Sequence, residues 1–104
     1  MDTKYHAKRT YSELCQRTFD SRAEARRGEE LALLERAGEI SDLRCQVKFI
    51  LSDVPRITLA IDFTYLEKGV RKFEDTKGMG ETREFRVKRI WAKEKFGIDV
   101  ILTK

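Results

Sequence analysis

Two aspartates and a lysine stand out in this sequence because charge has little place where they sit. Asp62 interrupts the most apolar stretch of the chain, ITLAIDFTYL at 57–66. Side chains of a strand alternate faces, so Asp62 shares a face with Ala60 and Thr64 and opposes Ile61 and Phe63. Asp75 and Lys77 lie two residues apart and point the same way from the next strand, with Phe73. A turn at Glu67-Lys68-Gly69 folds that strand back beside the first. Two carboxylates and an amine are thereby drawn together at the end of a β-hairpin. A hard divalent cation such as Mg²⁺ takes one or two carboxylates and completes its shell with water and phosphate oxygens. It polarises the phosphate and lowers the pKa of a bound water. Lys77 can orient or help deprotonate that water, or stabilise charge growing on the phosphate. The chemistry implied is magnesium-dependent phosphodiester hydrolysis, with Mn²⁺ able to substitute. The competing reading leaves Asp75 and Lys77 as solvent-facing strand residues and Asp62 as a structural turn or edge carboxylate.

A fourth candidate lies upstream. Ser21-Arg22-Ala23-Glu24 is a capping box that opens a helix. Glu24 falls on the helical row of Gly28 and Leu31, the row expected to face the core. A buried acid is costly unless it is paired or binds a metal. Glu24 is therefore either a metal ligand or a helix-capping side chain. Gln46 falls in the strand next to the site, where it can hold a water or phosphate or merely face solvent.

The elements that must position these groups read as follows. Residues 1–10 are a polar, basic, flexible arm, and 11–104 form one domain. Tyr11 to Phe19 suggests a short strand or hairpin. The first helix runs to about Ala37, stopped by Gly38, with Leu31 and Leu34 marking its buried stripe and Gly28 permitting close approach. Leu43, Cys45, Val47, Phe49 and Leu51 alternate with Arg44, Gln46 and Lys48, the pattern of a half-buried strand. Pro55 marks entry to the strand carrying Asp62, and Val70 to Lys77 is its hairpin partner. Thr82 caps a second helix to about Lys95, ended by Gly97, in which Val87, Ile90, Trp91 and Glu94 lie one to two turns apart. Trp91 reads as core rather than as a base-stacking platform, because it shares a face with Val87. Ile98 to Leu102 forms a last strand.

The net charge of +4 is concentrated between Lys77 and Lys95, where seven Lys/Arg face three acids. Such a segment suits a polyanion, since neutralised phosphates release counterions; a solvated helix face is the other reading. Cys15 and Cys45 have no metal-ligand spacing and read as free thiols of a reducing compartment. The chain has no run of about 18 apolar residues, so no membrane span is expected, and the expected location is the cytoplasm. His6 is the single histidine and sits in the arm, so no Ser–His or Cys–His catalytic pair can be built. Gly78-x-Gly80 is a turn and falls short of a phosphate loop.

The order of a helix with Glu24, a hairpin with Asp62, Asp75-x-Lys77 and then a basic helix resembles the PD-(D/E)xK nuclease superfamily. The chain also resembles a family of short phage and prophage proteins of uncharacterised function, through KYHAKRT, FDSRAEARR, LLERAGEISDL, CQVKF, IDFTYLEKG, EDTKGM and TREFRVKRIW. The resemblance implies an α/β (α+β) restriction-endonuclease-like core of order (β)-α-β-β-β-α-β, a mixed central sheet flanked by two helices. It implies that Asp62 is the first metal-binding acid, Asp75 the D/E position, Lys77 the lysine and Glu24 an additional acid. Ile61 stands at the position of the superfamily's proline, a residue that is often absent there. Glu74 offers an alternative carboxylate, but alternation turns it away from Lys77.

The resulting expectation is a Mg²⁺-dependent DNA endonuclease, phage-encoded in a bacterial host and similar to a junction resolvase, acting in recombination, repair or DNA processing. A chain of 104 residues has no spare domain for reading a long base sequence, which favours branched DNA. Lys4, Lys8, Arg9, Gln46, Lys48, Arg83, Arg86, Lys88 and Arg89 are the expected nucleic-acid contacts, holding backbone phosphates. A junction substrate would call for a symmetric homodimer. The alternative is an inactive nuclease-fold module binding DNA or a host or phage protein, and an RNA substrate stays open.

Overall fold

The structure, a computed structural model, describes residues 8–78 and 80–104. Lys4, His6 and most of the expected arm lie outside the described residues. The elements are β1 (Thr10–Ser12), β2 (Arg17–Phe19), α1 (Arg22–Arg36), β3 (Ser41–Ser52), β4 (Ile57–Glu67), β5 (Val70–Thr76), α2 (Arg83–Phe96) and β6 (Val100–Thr103). The expected order therefore holds, with a β1–β2 hairpin ahead of α1. β1 begins one residue inside the expected arm, and β6 begins two residues later than the apolar run suggested.

α1 starts where its cap dictates. Ser21 is extended, and its Oγ accepts from the Glu24 N–H at 3.1 Å, which satisfies one of the amides a helix start leaves unpaired. Its inward row is Glu24, Ala25, Gly28 and Leu31. Gly28 is needed there: a Cβ would lie 2.8 Å from the Phe19 ring and 3.3 Å from that of Phe63. Leu34 departs from expectation and is exposed, because from Leu33 onward the helix runs past the core.

β3, β4 and β5 form an antiparallel meander, and β6 joins β5 in parallel to give the order β3-β4-β5-β6. The β4–β5 turn is the two residues Lys68-Gly69, both at positive φ (52° and 77°), the combination that suits strand twist in a tight hairpin. The parallel partner requires a crossover, and α2 supplies it. α2 is capped by Thr82, whose Oγ1 accepts from the Phe85 N–H at 3.1 Å, and it closes on Gly97 at φ 72°.

Two apolar clusters divide the interior. Phe19, Ala25, Leu31, Ile40, Phe63 and Tyr65 pack under α1. Leu51, Leu59, Ile61, Phe85 and Ala92 pack under α2, with Phe49, Phe73 and Val100 against them. Ile61 and Phe63 are two residues apart in β4 yet belong to different clusters, so the packing partners of the strand change at Asp62. The second helix corrects an expectation. Its inward face is Phe85 and Ala92, whereas Val87 (54% exposed), Ile90 (51%) and Trp91 (36%) lie outward. A small residue at 92 lets the helix approach the sheet closely, and the bulkier row faces away. No helix among the described residues is long and apolar enough to cross a membrane.

Candidate functional site

The β4–β5 ladder runs from Glu67↔Val70 to Phe63↔Glu74 and stops there. One step further, backbone amides bond to carboxylates of the facing strand instead. The Asp62 N–H donates to Asp75 Oδ1 at 2.9 Å, and the Thr76 N–H donates to Asp62 Oδ2 at 2.8 Å. β5 then continues along β6, and the Lys77 N–H donates to the Thr103 carbonyl at 2.8 Å. The strands part at a fork whose two prongs carry Asp62 and Asp75. Lys77 holds its ammonium 2.8 Å from Asp75 Oδ2 and 3.9 Å over the Phe85 ring of α2. Asp75 is only 2% exposed. The expected convergence of Asp62, Asp75 and Lys77 is thus realised.

Glu24 reaches the same place from α1. It is 6% exposed, and its Oε2 accepts from Gln46 Nε2 at 2.9 Å. The same amide nitrogen lies 3.3 Å from Asp62 Oδ1. The Ser21 hydroxyl caps the helix through the Glu24 N–H, while the Glu24 carboxylate turns to the sheet and takes no part in the cap, contrary to the side-chain capping role weighed for it. Gln46 faces Asp62, between the pairs Cys45↔Phe63 and Val47↔Ile61. It sits there at φ 56°, a left-handed conformation that costs a side-chain-bearing residue about 1–2 kcal/mol. The β3–β4 pairing on either side fixes that backbone, and from it the side-chain amide bridges two acids. Gln46→Ala keeps the strain and loses the bridge, whereas Gln46→Gly loses both. The glycine variant should therefore be the more stable by about 1 kcal/mol, as denaturant unfolding would show; equal stabilities would mean the backbone there is unstrained.

Electrostatics make the cluster uneasy. Burial first, then Asp62, Asp20 and Asp75, push the Glu24 carboxyl from the usual 4.5 up to about 8, against the Gln46 hydrogen bond. Burial and then Asp75 raise Asp62 as well, opposed by the Thr76 amide, Lys77 and Gln46. The folded protein therefore holds the Glu24 proton at pH values where an unfolded chain has released it. Folding takes up protons in that window, so stability falls as pH rises from near 4.5 toward 8. Glu24→Gln removes this titration. Thermal melts in metal-free buffer should show the variant melting above the parent at pH 8, with a shallower fall from acid to alkaline; an unchanged slope would contradict the burial of that charge.

Glu74, the alternative carboxylate, points to the other face. Arg27 donates to it through Nε and Nη2, both at 2.8 Å, and Tyr65 donates through its hydroxyl. Burial alone would raise its pKa, but these bonds hold it below the usual value.

The basic residues divide. Lys77 and Lys88 line a groove of about 240 Å³ with Thr58, Ala60, Thr82, Phe85 and the acid Glu84. Lys88 also pairs with Glu84 at 3.1 Å. Arg86 and Arg89 both bind Glu81, at 3.2 and 2.6 Å. Their guanidinium groups, Arg89 first, hold Glu81 down at about 2. The positive segment is therefore partly neutralised from within. Lys8, Arg9 and Lys48 are exposed, Arg83 lies on the outward side of α2, and Lys4 is outside the described residues. Sequence reasoning missed Glu81, because a partner five and eight residues away falls outside the familiar helical spacing of three or four. It also missed Phe85 as the platform under Lys77. Cys15 and Cys45 are free and half-buried.

The donors present suit a hard cation. They are crowded carboxylate oxygens, those of Glu24 and Asp75 buried, with the Lys77 ammonium beside them at the groove. Among the described residues no trio of acid, His or Cys side chains is already closed to ligating distance. Gln46 bridges Glu24 and Asp62, and Lys77 rests on Asp75; these are the groups a cation would displace.

Fold and site together define an α+β protein whose mixed four-stranded sheet opens into an acid-lined fork. Over residues 2–103 the chain matches the family described as protein of unknown function DUF1064, and it belongs to that family. No curated protein and no solved structure matches it.

Proposed function

We propose that this chain is a Mg²⁺-dependent endonuclease with a restriction-endonuclease-like fold, hydrolysing phosphodiester bonds of DNA, with branched DNA as its substrate class. The observation that carries the reading is the fork: Asp62 and Asp75 face each other across it, and the Lys77 ammonium rests on Asp75. The order α1-β3-β4-β5-α2-β6, with β6 parallel to β5, supports it, being the order the superfamily resemblance implies.

Asp62, Asp75 and Glu24 would hold the ion. When bound, Mg²⁺ would supply Lewis-acid polarisation of the phosphate and activation of water. The chain's own groups do the rest. The Thr76 amide fixes the orientation of Asp62, and Gln46 holds its other oxygen until the ion takes that place. Lys77, at the mouth of the groove, donates to a phosphate oxygen and favours the charge that grows there. Lys88 holds an adjoining phosphate in the same groove. Lysines at such positions act as point charges on the backbone and do not read base edges in the bidentate way of arginine, which favours recognition of DNA shape over sequence.

The test is a panel of labelled junction, flap, nicked and linear DNAs, with a matched RNA, incubated with Mg²⁺. The expected result is cleavage of branched DNA that chelation abolishes. Substrates left intact with both Mg²⁺ and Mn²⁺ would overturn the proposal, and preferential cutting of RNA would overturn its substrate class.

A further inference from the structure

The outward face of α2 has no use in the site. Phe85 and Ala92 face the sheet. At 100° per residue, Arg83, Val87, Ile90 and Glu94 form a narrow stripe on the opposite side, with Trp91 along its flank. Val87 is 54% exposed and Ile90 51%, so the apolar centre of the stripe is uncovered. Neither Arg83 nor Glu94 has an ion-pair partner among the described residues, although their neighbours Arg86, Lys88, Arg89 and Lys93 all do. The two lie three helical turns apart, about 16 Å, one at each end of the apolar segment.

That order of positive, apolar, apolar, negative is self-complementary when reversed. Two α2 helices packed antiparallel about a two-fold axis between Val87 and Ile90 set Arg83 of each against Glu94 of the other. Val87 of each then meets Ile90 of its mate. An isologous contact requires one surface patch to match itself in this way. We infer that the outward face of α2 is a dimer seam that binds a second copy of this chain. Arg83 is then a seam residue and leaves the set of DNA contacts expected for this helix. The inference stands apart from the nuclease reading, since it uses no residue of the fork.

Charge reversal tests it without risk to the fold. Arg83→Glu puts an acid in the first turn and Glu94→Arg puts a base near the last, both favourable to the helix dipole. Light scattering coupled to size exclusion should give the parent a mass twice that of the 12.2 kDa chain. Each single variant sets like charges against each other at both ends of the seam and should dissociate at least about tenfold more readily. The double variant Arg83→Glu/Glu94→Arg restores opposite charges and should return to the parent's mass. Ile90→Glu should be monomeric with unchanged circular dichroism. A parent that is monomeric at every concentration tested would overturn the inference. Single variants as dimeric as the parent, or a double variant no better than the singles, would also overturn it.

Discussion

Asp75→Asn is expected to lower Mg²⁺-dependent DNA cleavage by roughly 10²–10³-fold or more while the protein melts within a few degrees of the parent. Asparagine keeps one side-chain oxygen, so the acceptor for the Asp62 N–H survives and the fork keeps its shape. The substitution removes the negative charge. That charge holds the Lys77 ammonium in the absence of metal and, on the proposed reading, helps hold the ion. A variant that folds and no longer cuts separates chemistry from architecture. Lys77→Ala is a poorer probe, because it leaves a 2%-exposed carboxylate without its counter-ion and confounds loss of activity with loss of stability. Asp75→Asn cleaving as fast as the parent would remove Asp75 from the chemistry.

Arg27→Ala is expected to cost about 3 kcal/mol of stability, near the lower end of what breaking a buried ion pair costs. Glu74 is 2% exposed and takes both of its Arg27 hydrogen bonds from a side chain that is itself 27% exposed. Truncation admits some water on the arginine side, and Tyr65 still donates, which is why the larger losses of that range are not expected. The remedy for the stranded charge is a proton. Glu74 in the parent contributes stability that is present above the unfolded carboxyl pKa and lost as pH falls through its lowered folded value. In Arg27→Ala that contribution is gone, so the gap between variant and parent should narrow as pH falls toward 4. Urea unfolding at neutral and acid pH measures both numbers. A loss below about 0.5 kcal/mol, the range of ordinary surface substitutions, would mean that Glu74 is less enclosed than its contacts indicate.

Much of this architecture was legible because local signals agreed with one another. Ser21 and Thr82 start their helices, Gly38 and Gly97 end them, and Lys68-Gly69 closes the hairpin. Period-two alternation through Leu59, Ile61 and Phe63 located the strand in which Asp62 is an intruder. The same alternation sent Asp75 toward Lys77 and Glu74 away from it. The face of α2 was not legible, because two apolar rows compete there and the bulkier one is outward. Phe85 and Ala92 win because the small residue shortens the distance between helix and sheet. The positive segment read as freer than it is, since Glu81 precedes the helix and folds back onto Arg86 and Arg89. Nothing in a glutamine announces a left-handed backbone, so the bend at Gln46 and the acid bridge it creates came only with the tertiary structure.

A crystal soaked in Mn²⁺ tests most directly, through the ion's anomalous scattering, whether the acids of the fork hold a divalent cation. One peak is expected, bonded to carboxylate oxygens of both Asp62 and Asp75, with Gln46 or Lys77 displaced from its present partner. No peak at the fork, with the Lys77–Asp75 pair and the Gln46 bridge both intact, would contradict cation binding there.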